Sequence, residues 1–248
     1  MNKSVIMKIK LIFVLTLWSV NGFSQRIYDS FSWGAGVAGR ETITTGAIIN
    51  GFAIENGGGT WDVGNGTVVF EGVAGIGNGR LSMTGNNAVL KTDYSVTNQS
   101  GALRITVTGI FTPGASGVRG FFAGFQAVSP DNNLLNNQTS DKLFLQMNNS
   151  GGLTFRSVIG GVTNNATGSD SLTWNSGDEV TLSFDVDIRN KKAIATITAG
   201  NAVTRELSWT GENPDWNVFA VNQTGSSTLW LKSVEIRPRD NLRLILLH

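Results

Sequence analysis

The chain has 248 residues with 40% hydrophobic and 15% charged side chains, 31 Gly, no Cys and one His. This composition suits a folded β protein stabilised by burial alone, and it excludes a disulfide framework, a Cys/His zinc centre and any His-dependent triad placed within the fold. The formal charge is +1, with no run of Lys or Arg to hold nucleic acid.

The first element is a secretory signal. Lys3, Lys8 and Lys10 form a basic region, Leu11 to Val20 an apolar run, and Gly22 and Ser24 are the small residues preceding cleavage before Gln25. The apolar run is too short for a membrane span, which needs about 20 residues. Residues 1–24 are therefore expected to be removed, leaving 16 basic and 18 acidic side chains, no membrane span and a secreted product, extracellular or at the cell surface.

Short apolar or alternating runs then recur between Gly- and Asn-rich clusters. In chain order they are RIYDSFS, TVVFEGV, AVLKTDY, ALRITVTGIF, RGFFAGFQAV, KLFLQMN, LTFRSVI, EVTLSFDVDI, AIATITA, VTRELSW, WNVFAVN and LWLKSVEI. The separators, including ENGGG, VGNG, TGNN and GENPD, are read as turns. No long segment keeps a helical period, so the spacing predicts an all-β sandwich or barrel. Val180, Leu182, Phe184, Val186 and Ile188 share one face of their strand, and Asp185 and Asp187 share the other. RNKK, from Arg189 to Lys192, then serves as the loop of a hairpin to Ala193–Ala199. Residues 25–238 read as one domain and residues 239–248 as a separate apolar tail.

The opening YDSFS element, with Asp29 and Phe31, the GGTW turn from Gly58 to Trp61, the FFAGFQ strand, the LSFDVDIRNKKAIATI hairpin and the closing LWLKSVEI strand resemble secreted bacterial domains of the concanavalin A-like lectin/glucanase superfamily, laminin-G-like branch. The resemblance implies an antiparallel jelly roll of two sheets, one of them concave. The fold hosts lectins, glycosidases, lyases and adhesion modules, so it assigns no activity by itself.

Three classes of function follow. The leading one is non-catalytic binding of an extracellular or cell-surface polysaccharide, with Trp174, Trp209 and Trp216 stacking on sugar rings and Asp185 and Asp187 accepting hydroxyl hydrogen bonds. Parity also fits core packing for these rings: Trp209 aligns with Val203 and Leu207, and Trp174 with Leu172. The second class is a glycoside hydrolase or polysaccharide lyase, for which Asp185 and Asp187 are the nearest approach to a carboxylate pair. The E-x-D-x-x-E pattern of laminarinase-like relatives is missing from this sequence. The third is a structural or adhesive module that binds protein. A structural Ca²⁺ would find oxygen ligands at Asp131, Asn133 and Asp215.

Overall fold

The computed structural model describes residues 26–31, 48–71, 79–96, 101–113, 120–127, 140–148, 150–168, 170–212, 214–225 and 227–239. Residues 1–24, expected to be a signal segment, together with Asp131, Asn133 and all of the tail except Arg239, lie outside them. Fourteen strands are described: β1 (Ile27–Asp29), β2 (Phe52–Ala53), β3 (Thr60–Glu71), β4 (Arg80–Asp93), β5 (Leu103–Thr112), β6 (Phe121–Gln126), β7 (Lys142–Met147), β8 (Leu153–Ile159), β9 (Val162–Asn165), β10 (Glu179–Asp187), β11 (Lys192–Thr198), β12 (Ala202–Ser208), β13 (Val218–Gln223) and β14 (Thr228–Pro238). No helix among the described residues is long and apolar enough to cross a membrane.

All pairings are antiparallel and follow one path, β12-β11-β10-β5-β14-β4-β13-β6-β7-β8-β9, with β1 beside β14 and β3 beside β4. The path doubles back at β4. Leu81–Met83 pair with β14, whereas Ala88–Asp93 pair with β13. Between them Gly85 (φ 91°) and Asn87 (φ 65°) turn the strand, and β3 follows the bend through register shifts around Asn65. Gly66 (φ 68°) is required there, since a Cβ would sit 2.6 Å from Ala88 Cα. VGNG and TGNN are thus bends inside continuous strands and not the expected turns. Glycine supplies the same dihedrals in a bulge as in a turn, so composition alone does not separate the two.

The two halves pack face to face. Phe184 of β10 meets Phe125 of β6 at 6.1 Å and Phe155 of β8 at 6.5 Å, and Phe111 of β5 meets Phe121 of β6 at 6.4 Å. These rings join a core spanning both layers. At the far ends of the path β12 contacts β8 and β9, closing the sandwich.

Strands in the first layer alternate as their sequences require. Val180, Leu182, Phe184, Val186 and Ile188 are all buried, while Thr181, Ser183, Asp185 and Asp187 face outward. Each inward side chain contributes roughly 1.5–3 kcal/mol of transfer free energy, and a one-residue slip would bury both aspartates. The second layer differs. Every residue of β6, β7 and β13 is buried, with Val89, Phe122 and Ala220 forming a small apolar cluster separate from the main core. Both faces of these strands are therefore covered.

Candidate functional site

Asp185 and Asp187 sit at the end of β10 and are engaged by different partners. The Asp185 oxygens accept from Arg104 Nε at 2.7 Å and Arg104 Nη2 at 2.8 Å, and Arg239 Nη1 lies 3.3 Å from Oδ2. Register explains the first contact, because Asp185 pairs directly with Arg104 of β5. The bidentate geometry matches two carboxylate oxygens to two N–H groups. The hydrogen bond to Asp185 raises the Arg104 pKa; burial opposes that effect without cancelling it.

Asp187 caps the following turn. It accepts from the Asn190 backbone N–H at 3.0 Å and from the Asn190 amide at 2.7 Å. Burial pushes its pKa up, but these bonds, with help from Arg189, outweigh burial and hold the carboxyl below its usual value. The sign fixes a prediction. A depressed folded pKa stabilises the fold above the unfolded value of about 4, and that contribution fades as pH falls toward the folded value. Asp187→Ala is therefore expected to be less stable than wild type at pH 7. Urea midpoints of the two proteins should converge in acid below about pH 4; a gap that stays constant in acid would disprove the cap's electrostatic role.

The three tryptophans are not gathered together. Trp209 is 3% exposed and Trp216 fully buried, and their rings meet edge to face at 5.6 Å. Neither indole N–H has an acceptor among the described residues. Trp174 lies beyond the opposite end of β10, half-buried against Phe111 at 5.6 Å. Val203, Leu207 and Trp209 are buried together, as their shared parity requires. Trp209 and Trp216 thus present no open ring face for stacking.

The loop between these two tryptophans borders a cleft of about 480 Å³, lined by Asp141, Ile159, Gly160, Val162, Thr210, Gly211, Glu212 and Asp215. Three segments build it. The 209–217 loop is tied down by Trp209 N–H donating to Lys191 O at 3.0 Å and by Lys191 Nζ donating to Gly211 O. The β8–β9 hairpin contributes Val162, 61% exposed. Asp141 stands just before β7 and accepts from Gly160 N–H at 2.7 Å. Asp215 accepts from the Asn217 amide at 2.5 Å. Asp141 was not singled out by sequence; its neighbour across the hairpin is set by the β7–β8 register.

Of the proposed calcium ligands, only Asp215 falls within the described residues. No group of three or more His, Cys, Asp or Glu side chains among those residues could hold a metal ion.

No protein-family model matches the chain, and neither does any curated protein. Solved structures do. The winged bean acidic lectin complexed with methyl-α-D-galactose aligns over 71% of this chain and 91% of its own, at 9% identity and a TM-score of 0.54. Arcelin-5 from Phaseolus vulgaris, a lectin-like defence protein, aligns over 87% of this chain and 100% of its own, at 10% identity and a TM-score of 0.51. The chain therefore has the concanavalin A-like jelly-roll fold. At such identities the likeness concerns the fold alone.

Proposed function

We propose that this protein is a secreted, non-catalytic carbohydrate-binding module, of the laminin-G-like kind found in bacteria, that engages an extracellular or cell-surface polysaccharide. Residues 1–24 direct export, 25–238 form the binding domain, and the tail from Arg239 onward follows it. The observation that carries the reading is the cleft at the 209–217 loop. Glu212 and Asp215 offer carboxylate acceptors to sugar hydroxyls, Thr210 offers a hydroxyl that both donates and accepts, and exposed Val162 matches an apolar C–H face. Trp209 and Trp216, buried against each other, anchor the two ends of the loop that carries these groups. The likeness of fold to a lectin crystallised with a galactoside supports the same class of ligand.

The test is a panel of neutral polysaccharides measured by affinity electrophoresis. Wild type should be retarded by at least one, and the Glu212→Ala/Asp215→Ala variant should lose about tenfold in affinity, the scale of one or two hydrogen bonds to charged groups. A second reading, a structural or protein-binding module, draws on the burial of both faces of β6, β7 and β13, which leaves no open groove at those strands. Absence of retardation by every neutral polysaccharide would favour it.

A further inference from the structure

The VGNG bend of β3, Val63 to Gly66, carries chemistry that the sandwich itself does not use. An asparagine followed by glycine can modify itself, because glycine has no side chain to shield its own peptide nitrogen. That nitrogen attacks the asparagine Cγ. A new C–N bond closes a five-membered succinimide, and the side-chain nitrogen leaves as ammonia. The attacking nitrogen gives its proton to solvent, and the departing amide takes one up. Water then opens either carbonyl, leaving aspartate or isoaspartate. One water is consumed and one ammonia released, with no change of oxidation state. The ring closure is intramolecular, so its rate depends on whether the fold brings nitrogen and Cγ together.

Three such pairs are described in full, Asn50–Gly51, Asn56–Gly57 and Asn65–Gly66, and all are exposed. Hydrogen bonding separates them. Asn50 Oδ1 accepts from Val63 N–H at 3.0 Å, and Gly51 N–H donates to Trp61 O at 2.8 Å. Both reacting groups there are turned to other partners. The Asn56 carbonyl belongs to the same peptide as the Gly57 nitrogen. It accepts from Tyr28 N–H at 2.9 Å, which holds that peptide plane in place. At Asn65 the arrangement is reversed. Gly66 N–H donates to the Oδ1 of Asn65 itself at 2.9 Å. Cγ is one covalent bond beyond that oxygen, so nucleophile and target stand side by side. The register gives Gly66 no partner across the sheet, since Asn65 pairs with Val89 and the next pair is Thr67 with Thr84. The close approach of Gly66 to Ala88 keeps glycine at this position.

We propose that Asn65–Gly66 is a self-modification site: in the native fold Asn65 closes a succinimide with the Gly66 nitrogen and converts to aspartate and isoaspartate ahead of Asn50 and Asn56. Either product adds a negative charge to the bend that β3 and β4 share. Isoaspartate also adds one carbon to the main chain of β3 opposite Val89, a member of the small outer apolar cluster. The site needs no ligand and is independent of the cleft.

The test incubates the full chain, folded and in urea, at mildly alkaline pH in water enriched in heavy oxygen. Peptide mapping by mass spectrometry follows each Asn-Gly pair with time. In the folded protein Asn65 should convert about tenfold or more faster than Asn50, which must first break two hydrogen bonds. Both aspartate and isoaspartate should form, each carrying one heavy oxygen. In urea the three pairs should react at similar rates. Asn65→Gln, which would have to close a six-membered ring, should abolish modification at this position. Should that variant fail to fold, the comparison among the three pairs of the wild-type chain decides alone. Asn65→Asp should keep the wild-type urea midpoint, whereas aged protein rich in isoaspartate should unfold at lower urea. Asn50 or Asn56 converting as fast as Asn65 in the folded protein would overturn the site, as would aspartate formed without isoaspartate. A lead for Asn65 that persists in urea would also overturn it, because local sequence and not the fold would then set the selectivity.

Discussion

Asp29→Ala is expected to destabilise the protein by about 3–4 kcal/mol, since it removes a charged acceptor from several buried donors. Asp29 is fully buried. Its Oδ2 accepts from Trp61 Nε1 at 2.8 Å, and its Oδ1 from the Phe31 backbone N–H at 2.9 Å. The second bond holds Phe31 at φ 50°, a left-handed conformation unfavourable for a bulky residue. Burial of the Phe31 ring, 5.9 Å from Trp61, offsets that strain. Trp61→Phe keeps most of the buried ring and removes one donor, so it should cost about 1.5–3 kcal/mol. The double variant Asp29→Ala/Trp61→Phe should cost less than the two single changes together, because the same bond is lost in each. Urea unfolding of the four proteins measures the coupling. Strictly additive losses would show that Asp29 and Trp61 act independently.

That cluster also shows which parts of the fold could be read in advance. Asp29 and Phe31 came from YDSFS and Trp61 from GGTW, two short motifs noted for their order along the chain; the structure makes them direct contacts. The twelve candidate strands all appear, because one-sided burial imposes a period of two that survives in sequence, as in Val180–Ile188 and Val203–Trp209. Two strands were not anticipated. β2 has two residues, and β9, VTNN, has none of its four side chains buried, so neither carries a pattern. In FFAGFQ and KLFLQM burial on both faces erases alternation, and the sequence cannot say what covers the outer face.

The candidate sites were harder to read for a related reason. Hairpin partners lie close in sequence, and so RNKK placed β10 against β11 correctly. The pairing of β10 with β5, and of β5 with β14, joins strands distant in the chain. Asp185 looked like half of a carboxylate pair until that register placed Arg104 beside it. The same long-range register sets Arg237 of β14 directly opposite Arg104 of β5, a pairing with no linear signature. Asp215 was visible as an oxygen-bearing residue beside the GENPD turn, but Asp141 reaches the same cleft only through the β7–β8 hairpin.

Trp216→Ala is expected to be the most damaging single change near the cleft, at about 3–5 kcal/mol, the range for truncating a fully buried aromatic side chain. Trp216 has no exposed surface and packs edge to face on Trp209. The Trp216 backbone carbonyl accepts from Val96 N–H at 2.9 Å, so the chain on both sides is fixed, limiting relaxation into the cavity. Trp216→Phe should cost much less than Trp216→Ala. The Trp216 indole N–H has no acceptor among the described residues, so no hydrogen bond between them disappears, in contrast with Trp61. The two tryptophans therefore make opposite predictions for the same chemical change. Phenylalanine should restore most of the stability at position 216, yet leave a clear deficit at 61 once ring area is allowed for. The cleft loop extends directly from Trp216 through Asp215. Neutral-glycan affinity should follow the stability series at this position, near wild type for Trp216→Phe and lost for Trp216→Ala. A Trp216→Phe protein as stable as wild type but devoid of glycan affinity would mean that the indole itself meets the sugar.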